Sequence, residues 1–198
     1  MTAKAAGTVR ITGGRAKGLR LDVPSGQGVR PTADRARETL FNILINRFRK
    51  PGGASVLQGA RVLDAFAGTG ALGLEAWSRG AAFVAFAELS REHRRVLEQN
   101  LLKAKLPSVD FRVEPEAAEP AEPFDLIFAD PPYGQGEALL ARLLAKGGLW
   151  SVNTLVVWER DKGAAALPAG WRLVHEKPVG RTVFSFLASD QAPAPGAG

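Results

Sequence analysis

Short apolar runs alternate with helical stretches along most of this sequence, and that alternation constrains the fold more than any other feature. Strands are predicted at 61–66, 81–88, 109–113, 124–130 and 154–159. Helical spacing follows most of them, a pattern typical of an α/β doubly wound, Rossmann-like sheet that is mostly parallel and has helices on both faces. Two last runs, 171–176 and 182–187, predict an antiparallel C-terminal hairpin.

The first 50 residues differ from the rest of the chain in charge. They carry eleven Lys and Arg against three acids, a balance of +8, whereas residues 51–198 balance at −2. Alternation around Gly13–Gly14 predicts a β-hairpin over 9–23, and spacing of apolar residues predicts a helix over 32–48. We therefore expect a basic appendage at 1–50, a main domain at 51–187, and a disordered Ala/Pro/Gly-rich tail at 188–198.

The basic appendage has the character of an arm that binds a polyanion. A solvated face that only aids solubility is the alternative. Some of its arginines also have Asp34 and Glu38 as nearby ion-pair partners. The cations considered for phosphate contact are Arg10, Arg15, Lys17, Arg20, Arg30, Arg35 and Arg37.

Composition narrows the class of protein. Of 198 residues, 45% are hydrophobic, which suits one domain with a sizeable core. There is no cysteine, so disulfides and thiolate metal sites are excluded. Residues 1–8 lack the apolar region of a signal peptide, and no apolar run approaches membrane-spanning length. We expect a soluble cytoplasmic monomer without a metal.

A glycine-rich turn follows the first main strand, in the sequence D-A-F-A-G-T-G-A-L-G that begins at Asp64. Its glycines let the backbone approach a ligand closely, and Gly68, Gly70 and Gly73 have the spacing G-x-G-x-x-G. Glu88 ends the second strand, where a carboxylate can accept ribose hydroxyls. The pattern fits a nicotinamide dinucleotide as well as an adenosine-bearing cofactor, and a tight turn without a ligand is the third possibility.

The central strand ends in F-D-L-I-F-A-D-P-P-Y-G, at 124–134. Pro131 and Pro132 cannot continue the ladder, so Asp130, the Pro131 carbonyl and the Tyr133 ring leave the strand in nearly fixed directions. Two acceptors and an aromatic plate suit a planar exocyclic amine. Hydrogen bonds from both amine protons turn its lone pair toward an electrophile. The alternative is a proline-capped strand in which Asp130 only forms a turn.

The glycine-rich turn and the D-P-P-Y segment, taken together, distinguish between the possible cofactors. Asp64, Phe66 and the D-P-P-Y segment are all predicted at the carboxyl edge of the sheet, where doubly wound sheets bind ligands. A dehydrogenase has no need of an amine clamp, and neither His93 nor His175 is placed as an acid for hydride transfer. The motifs therefore favour an adenosine-bearing cofactor beside an amine substrate.

Several longer motifs resemble those of the RsmD family, bacterial 16S rRNA guanine-N2 methyltransferases that belong to the class I S-adenosylmethionine-dependent enzymes. They are R-I-T-G-G-R-A-K-G at 10–18, R-P-T-A-D-R-A-R-E-T-L-F-N at 30–42, L-D-A-F-A-G-T-G-A-L-G-L-E-A at 63–76, F-A-E at 86–88, Q-N at 99–100 and F-D-L-I-F-A-D-P-P-Y at 124–133. The segment at 30–42 is the most telling, since general methyltransferases lack it.

The resemblance implies S-adenosylmethionine as cofactor and 16S rRNA or the small ribosomal subunit as partner. The cofactor-binding residues would be Asp64, Phe66, Gly68, Gly70 and Glu88, with Glu88 on the ribose. Asp130, Pro131 and Tyr133 would hold the guanine, and the basic appendage would grip rRNA. Methyl transfer would be direct and in line, without a covalent enzyme intermediate.

Two departures from the family pattern concern the adenine edge and the first hairpin. Where the family usually has Asp or Asn after the third strand, this chain offers Glu116, and Ala16 replaces an aromatic residue. Two other activities stay open at this point. One is amino-methylation of adenine N6 in DNA or RNA, and the other is a nucleotide-binding ribosome-assembly factor without catalysis.

Overall fold

The computed structural model describes residues 8–24, 31–50, 52–107, 110–118, 120–132, 134–163 and 165–192. Its strands are β1 (Thr8–Arg10), β2 (Arg20–Asp22), β3 (Arg61–Asp64), β4 (Phe83–Ala87), β5 (Phe111–Glu114), β6 (Phe124–Ala129), β7 (Trp150–Asp161), β8 (Trp171–Val179) and β9 (Thr182–Ser189). Its helices are α1 (Pro31–Asn46), α2 (Ala71–Ser78), α3 (Arg91–Ala104) and α4 (Gly136–Leu144).

Within the described residues the main sheet has seven strands in the order β5-β4-β3-β6-β7-β9-β8. Strands β3 to β7 run parallel, and β9 pairs antiparallel with both β7 and β8. The order reverses between β3 and β6, so the carboxyl ends of these two strands flank the switch point. The predicted doubly wound sheet with an antiparallel C-terminal hairpin is confirmed.

The C-terminal strands are longer than the sequence predicted. Strand β7 begins at Trp150 rather than near residue 154, and β8 continues through Pro178 to Val179, where a turn was expected. Proline is tolerated there because β8 lies at the edge of the sheet and its outer side needs no ladder donor. Strand β9 ends at Ser189, two residues into the range predicted as a tail.

Two apolar layers cover the sheet. Alternate strand residues such as Val62, Phe128 and Val157 point to the layer that holds α1, α2 and α3. Their neighbours, such as Ile127 and Trp158, point to the layer that holds α4. The first layer also contains Ile11 and Leu21 of the β1–β2 hairpin, and so the appendage shares one core with the main sheet.

The β1–β2 hairpin is fastened to α2 through a buried carboxylate. The Glu75 side chain is fully buried and accepts hydrogen bonds from the backbone N–H groups of Thr12 and Gly13 at 2.8 Å. It also forms ion pairs with Arg79, at 2.9 Å, and with Arg37, at 3.5 Å. The segment that contains the motif at 10–18 therefore docks on α2.

Gly14 lets the hairpin loop lie directly on the end of α2. It has φ of 77°, and a Cβ there would lie 1.9 Å from the Ser78 carbonyl oxygen. The Arg15 N–H donates to that same oxygen, and the Ala16 N–H donates to the Ser78 hydroxyl. At residue 16 only the backbone N–H makes this contact, so alanine is sufficient there.

Candidate active site

A large cleft of about 2100 Å³ opens at the carboxyl edge of the sheet. Its floor is formed by the ends of β3, β4 and β6 and by the glycine-rich turn, and the turn between β8 and β9 forms one wall. Val9 and Val23 from the hairpin line it as well. The cleft brings together the two motifs that the sequence predicted would meet, at 64–73 and at 130–132.

The glycine-rich turn is held in shape by two carboxylates. Asp64 is buried and accepts a hydrogen bond from the Gly73 N–H at 2.8 Å. One oxygen of Glu88 accepts from the Gly68 N–H and the other from the Ser90 N–H, each at 2.8 Å. Every carboxylate oxygen has a further lone pair, so Glu88 keeps acceptor capacity for ribose hydroxyls on its cleft side.

The three glycines of the turn serve different purposes. Gly70 has φ of 79°, and a Cβ on it would lie 2.3 Å from the Leu97 side chain. A Cβ on Gly73 would lie 2.3 Å from the Phe86 ring, so this residue permits close packing of α2 on β4. Gly68 lines the cleft, and a Cβ on it would meet nothing within 4 Å. Gly68 therefore keeps room for a ligand, as an adenosine-bearing cofactor requires.

Alanine substitutions at Gly68 and Gly70 are expected to separate ligand binding from folding. Gly68→Ala should cost only about 1 kcal/mol of left-handed backbone strain but weaken binding of S-adenosylhomocysteine by about tenfold or more. Gly70→Ala should destabilise the fold by a further ~1–3 kcal/mol because its methyl group overlaps Leu97. Urea unfolding and calorimetric titration measure the two effects. Wild-type affinity in Gly68→Ala would mean that the cofactor does not cross this residue.

Three carboxylates lie at the carboxyl edge of the sheet, and we call Asp64, Asp130 and Glu159 the acid row. Asp64 ends β3, Asp130 follows β6, and Glu159 lies two residues before the end of β7. In register, Asp64 pairs with Phe128 and Ala129 with Trp158, which places Asp130 beside Glu159. By the alternation of the strands, all three project toward the layer that holds α1 and α2. The acid row gives one side of the cleft a concentrated negative charge.

Burial raises the pKa values of all three members of the acid row, and repulsion from the other two members adds to the rise at Asp130. Burial raises the pKa of Asp64 to about 7, and Glu88 adds to the rise, although the Gly73 N–H opposes it. Asp130 is exposed after the end of β6 and lines the cleft. Desolvation there, followed by the charges of Glu159 and Asp64, raises the pKa of Asp130 well above its usual value. A cation bound in the cleft would relieve this repulsion.

The predicted target-binding residues lie partly within the described structure. Asp130 follows β6 directly, and Pro131 beside it is buried. Tyr133 and Arg30 lie outside the described residues. On the cofactor side, Phe66 is half-buried and lines the cleft. Glu116 also lines the cleft, where it forms ion pairs with Lys146 at 3.3 Å and Arg142 at 3.9 Å.

Arg37 is a correction to the predicted set of RNA-binding residues. Its side chain is only 7% exposed, and it donates to the Arg10 carbonyl and to Asp34, each at 2.7 Å. With its additional ion pair to Glu75, this guanidinium is committed to joining α1, the hairpin and α2. It was predicted to contact phosphate because it follows a glycine-rich loop, and the alternative, an ion pair with Asp34, is what the structure contains.

The other predicted cations divide between two places. Arg10 and Arg20 are exposed and paired across the hairpin, and Arg35 is exposed on the wall of the cleft. Arg15 stacks on Trp77 with its guanidinium carbon 3.9 Å from the ring centroid, at the end of α2 that is farther from the glycine-rich turn. Lys17 is exposed on the same hairpin loop.

Three polar residues that sequence reasoning did not assign hold or line the site. Glu75 is the buried anchor of the hairpin, and Glu159 completes the acid row. Asn100 is fully buried, where its side chain accepts from the Asp22 N–H and donates to the carbonyls of Asp22 and Thr69. Each had a signal in the sequence, since Glu75 and Asn100 lie in the motifs at 63–76 and 99–100 and Glu159 ends an apolar run as Asp130 does.

None of the helices in the described part of the chain has the length and apolar composition needed to cross a bilayer. Across the same residues, no group of three or more His, Cys, Asp or Glu side chains is arranged to hold a metal ion.

Comparisons with known proteins place the chain among methyltransferases. The family model described as Conserved hypothetical protein 95 matches residues 9–188. Ribosomal RNA small subunit methyltransferase D of Escherichia coli K12 is 36% identical over 184 residues, covering 90% of this chain and 88% of that protein. Its namesake in Haemophilus influenzae is 36% identical over 191 residues, covering 90% and 93%. A solved structure of a candidate methyltransferase from Escherichia coli, yhhF, superposes with a TM-score of 0.75 at 34% identity and covers 92% of this chain and 98% of that chain.

A sheet in this order, with a glycine-rich turn and an acid-tipped central strand at its carboxyl edge, defines a class I S-adenosylmethionine-dependent methyltransferase. More particularly, the chain belongs to the Conserved hypothetical protein 95 family, the RsmD family that its motifs resemble. The predicted family, enzyme class and cofactor are thereby confirmed, and the nicotinamide alternative is excluded.

Proposed function

We propose that this enzyme transfers the methyl group of S-adenosylmethionine to the exocyclic N2 of a guanine in 16S rRNA of the small ribosomal subunit. The observation that carries this proposal is that Asp130 and Pro131 line the same cleft as the glycine-rich turn, whose Gly68 N–H donates to Glu88. An acceptor for an amine therefore faces the place where a methyl donor fits. The name of the relatives, ribosomal RNA small subunit methyltransferase, supports the rRNA substrate.

The cofactor-binding half of the proposed site consists of five residues around the glycine-rich turn, together with Glu116. Asp64 and Glu88 fix the turn, Gly68 and Gly70 bring its backbone close to the ligand, and Phe66 lines the same wall. Glu88 accepts the ribose hydroxyls, and Glu116, which Arg142 and Lys146 hold, faces the adenine. When bound, S-adenosylmethionine supplies an electrophilic methyl group on a positively charged sulfur.

In the target-binding half, Asp130 and the Pro131 carbonyl accept hydrogen bonds from the two N–H groups of the guanine amine. These bonds turn the nitrogen lone pair away from the purine ring and toward the methyl donor. Asp130 also stabilises the positive charge that develops on nitrogen during transfer, and the methylated amine then loses its proton readily. Tyr133, which follows in the sequence, is proposed to stack on the base.

A basic rim around the cleft suits an RNA substrate. Arg35, Lys177 and Arg181 are exposed and line the opening, and Arg10 and Arg20 lie on the adjoining hairpin. Cations at the rim neutralise phosphates, and the acid row on the floor receives the base. We propose that the enzyme acts as a monomer in the cytoplasm, where ribosomal subunits are assembled, and sedimentation at working concentration tests the monomer.

Transfer of labelled methyl groups tests the proposed function directly. Wild-type enzyme is incubated with unmodified small subunits, bare 16S rRNA and DNA, and the products are digested to nucleosides. N2-methylguanosine from rRNA supports the proposal. N6-methyladenine would keep the mechanism and overturn the substrate, whereas cofactor binding without transfer to any acceptor would favour an assembly factor.

The pH dependence of cofactor binding follows from the raised pKa of Asp64. Below pH 7 this buried carboxyl is largely protonated, and it ionises as the pH rises through about 7. Affinity for the sulfonium cation should therefore increase between pH 6 and 8, by about tenfold for each unit by which the cation lowers that pKa. S-adenosylhomocysteine lacks the sulfonium charge and should show a smaller change. Calorimetric titration of both ligands measures the difference, and parallel pH profiles would contradict the expectation.

A further inference from the structure

Glu159 is the one member of the acid row that the proposed function leaves without a task. It follows the buried run that ends at Trp158, just as Asp130 follows Ala129, and the two strands pair in parallel register there. Neighbouring strands lie about 4.8 Å apart, so two acceptors stand side by side at the target end of the cleft. Both residues line the cleft and the smaller pocket beside it.

Two neighbours of Glu159 oppose the effect of its burial. Burial, its largest influence, raises the pKa of Glu159, but the Thr182 side chain and the positive charge of Arg37 both lower it. Arg37 is in turn fixed by the Arg10 carbonyl, Asp34 and Glu75. A buried arginine that is anchored by three other groups is costly to assemble, and its charge acts on this carboxylate.

We infer that Glu159 reads the Watson–Crick edge of the target base and selects guanine by accepting its N1–H while Asp130 and Pro131 hold its 2-amino group. This inference rests on the proposed function, and it adds a specificity-determining residue that D-P-P-Y alone does not supply. Guanine presents adjacent donors at N1 and N2, which two neighbouring acceptors match.

The same pair of acceptors disfavours adenine. Beside its amino group adenine carries N1, which is an acceptor, and a carboxylate facing it leaves two lone pairs opposed. A site built to accept a hydrogen bond also leaves a charged group unpaired when the donor is missing, and that penalty adds to the discrimination. The third carboxylate of the acid row, Asp64, is already engaged with Gly73 on the cofactor side.

The test uses 2-aminopurine, which keeps the 2-amino group of guanine but has an acceptor at N1. Wild-type enzyme first identifies the methylated guanine in small subunits, and 16S rRNA carrying guanine or 2-aminopurine at that position is then prepared by ligation. We expect wild type to prefer guanine by roughly 10- to 100-fold. In Glu159→Gln the amide can donate to N1, so the ratio of the guanine rate to the 2-aminopurine rate should fall at least about tenfold. 2-Aminopurine also lacks the O6 atom of guanine, but this loss affects wild type and Glu159→Gln alike and therefore cancels when their ratios are compared.

Glu98→Gln, on the exposed face of α3, removes the same charge away from the cleft and should keep the wild-type ratio. If Glu159→Gln binds S-adenosylhomocysteine like wild type and keeps the wild-type ratio of guanine rate to 2-aminopurine rate, the inference is overturned and the proposed function is unaffected. Failure of wild type to produce N2-methylguanosine would overturn the proposed function as well. If Glu159→Gln does not fold, Glu159→Asp decides. A slower guanine reaction with the preference for guanine intact supports the inference, and a wild-type rate refutes it.

Discussion

Asp130→Ala is expected to lower the rate of methyl transfer by roughly 10²- to 10³-fold, the usual effect of removing one preorganised polar partner of a transition state. The carboxylate is the charged acceptor at the end of β6, and no other group of the acid row stands next to Pro131. Asp130→Asn keeps one neutral acceptor and should retain more activity than the alanine variant. Single-turnover transfer to small subunits measures both variants.

Stability distinguishes this loss of activity from unfolding. Burial and like charges raise the pKa of Asp130, so its ionised form costs the native state free energy above that pKa. Removal of the carboxylate should therefore leave the free energy of unfolding at pH 8 unchanged or higher. A variant that is inactive because it is unfolded would show the opposite change.

Asp190→Ala is the matched control for this prediction. Asp190 is exposed after β9, which runs antiparallel to β7, and so it lies at the edge of the sheet opposite to Asp130. It should keep the wild-type rate and the wild-type affinity for S-adenosylhomocysteine. If Asp130→Ala retains more than about a tenth of the wild-type rate, the strand end does not perform the chemistry proposed for it.

The main sheet was predictable from sequence because periodicity and chain order determine it. Apolar runs with glycine and proline boundaries locate β3, β4 and β6, and their alternation with helices indicates a doubly wound sheet, whereas the strand order is seen only in the structure. Strand ends were less predictable. Pro178 was expected in a turn, but at an edge strand the proline needs no partner and β8 continues through it.

The site was predictable only where function depends on residues close together in sequence. The glycine-rich turn and D-P-P-Y are such segments, and the structure brings residues 64–73 and 130–132 into one cleft. Glu75 and Arg37 are 38 positions apart and look like ordinary helical charges in the sequence. Their burial follows from docking of the hairpin, a tertiary contact that no local pattern encodes. Because the sequence does not show this contact, Arg37 was predicted among the RNA-binding residues.

Glu75→Ala is expected to lower the free energy of unfolding by about 3–5 kcal/mol, the range found when one partner of a buried ion pair is removed. The substitution leaves Arg37 and Arg79 without their shared carboxylate and strips the Thr12 and Gly13 N–H groups of their acceptor. Against a total stability of about 5–15 kcal/mol, the loss is large. Glu75→Gln keeps the shape and one acceptor oxygen, so its loss should be smaller.

Urea unfolding tests this expectation, with Glu98→Ala as the exposed control that should change stability by no more than about 0.5 kcal/mol. The manner of unfolding carries further information. Ile11 and Leu21 lie in the same apolar layer as Val62 and Phe128, so the hairpin and the sheet should unfold in one transition in both wild type and Glu75→Ala. Two transitions, with only the first shifted by Glu75→Ala, would show that the basic appendage is a separate unit held to the methyltransferase domain by the buried carboxylate alone.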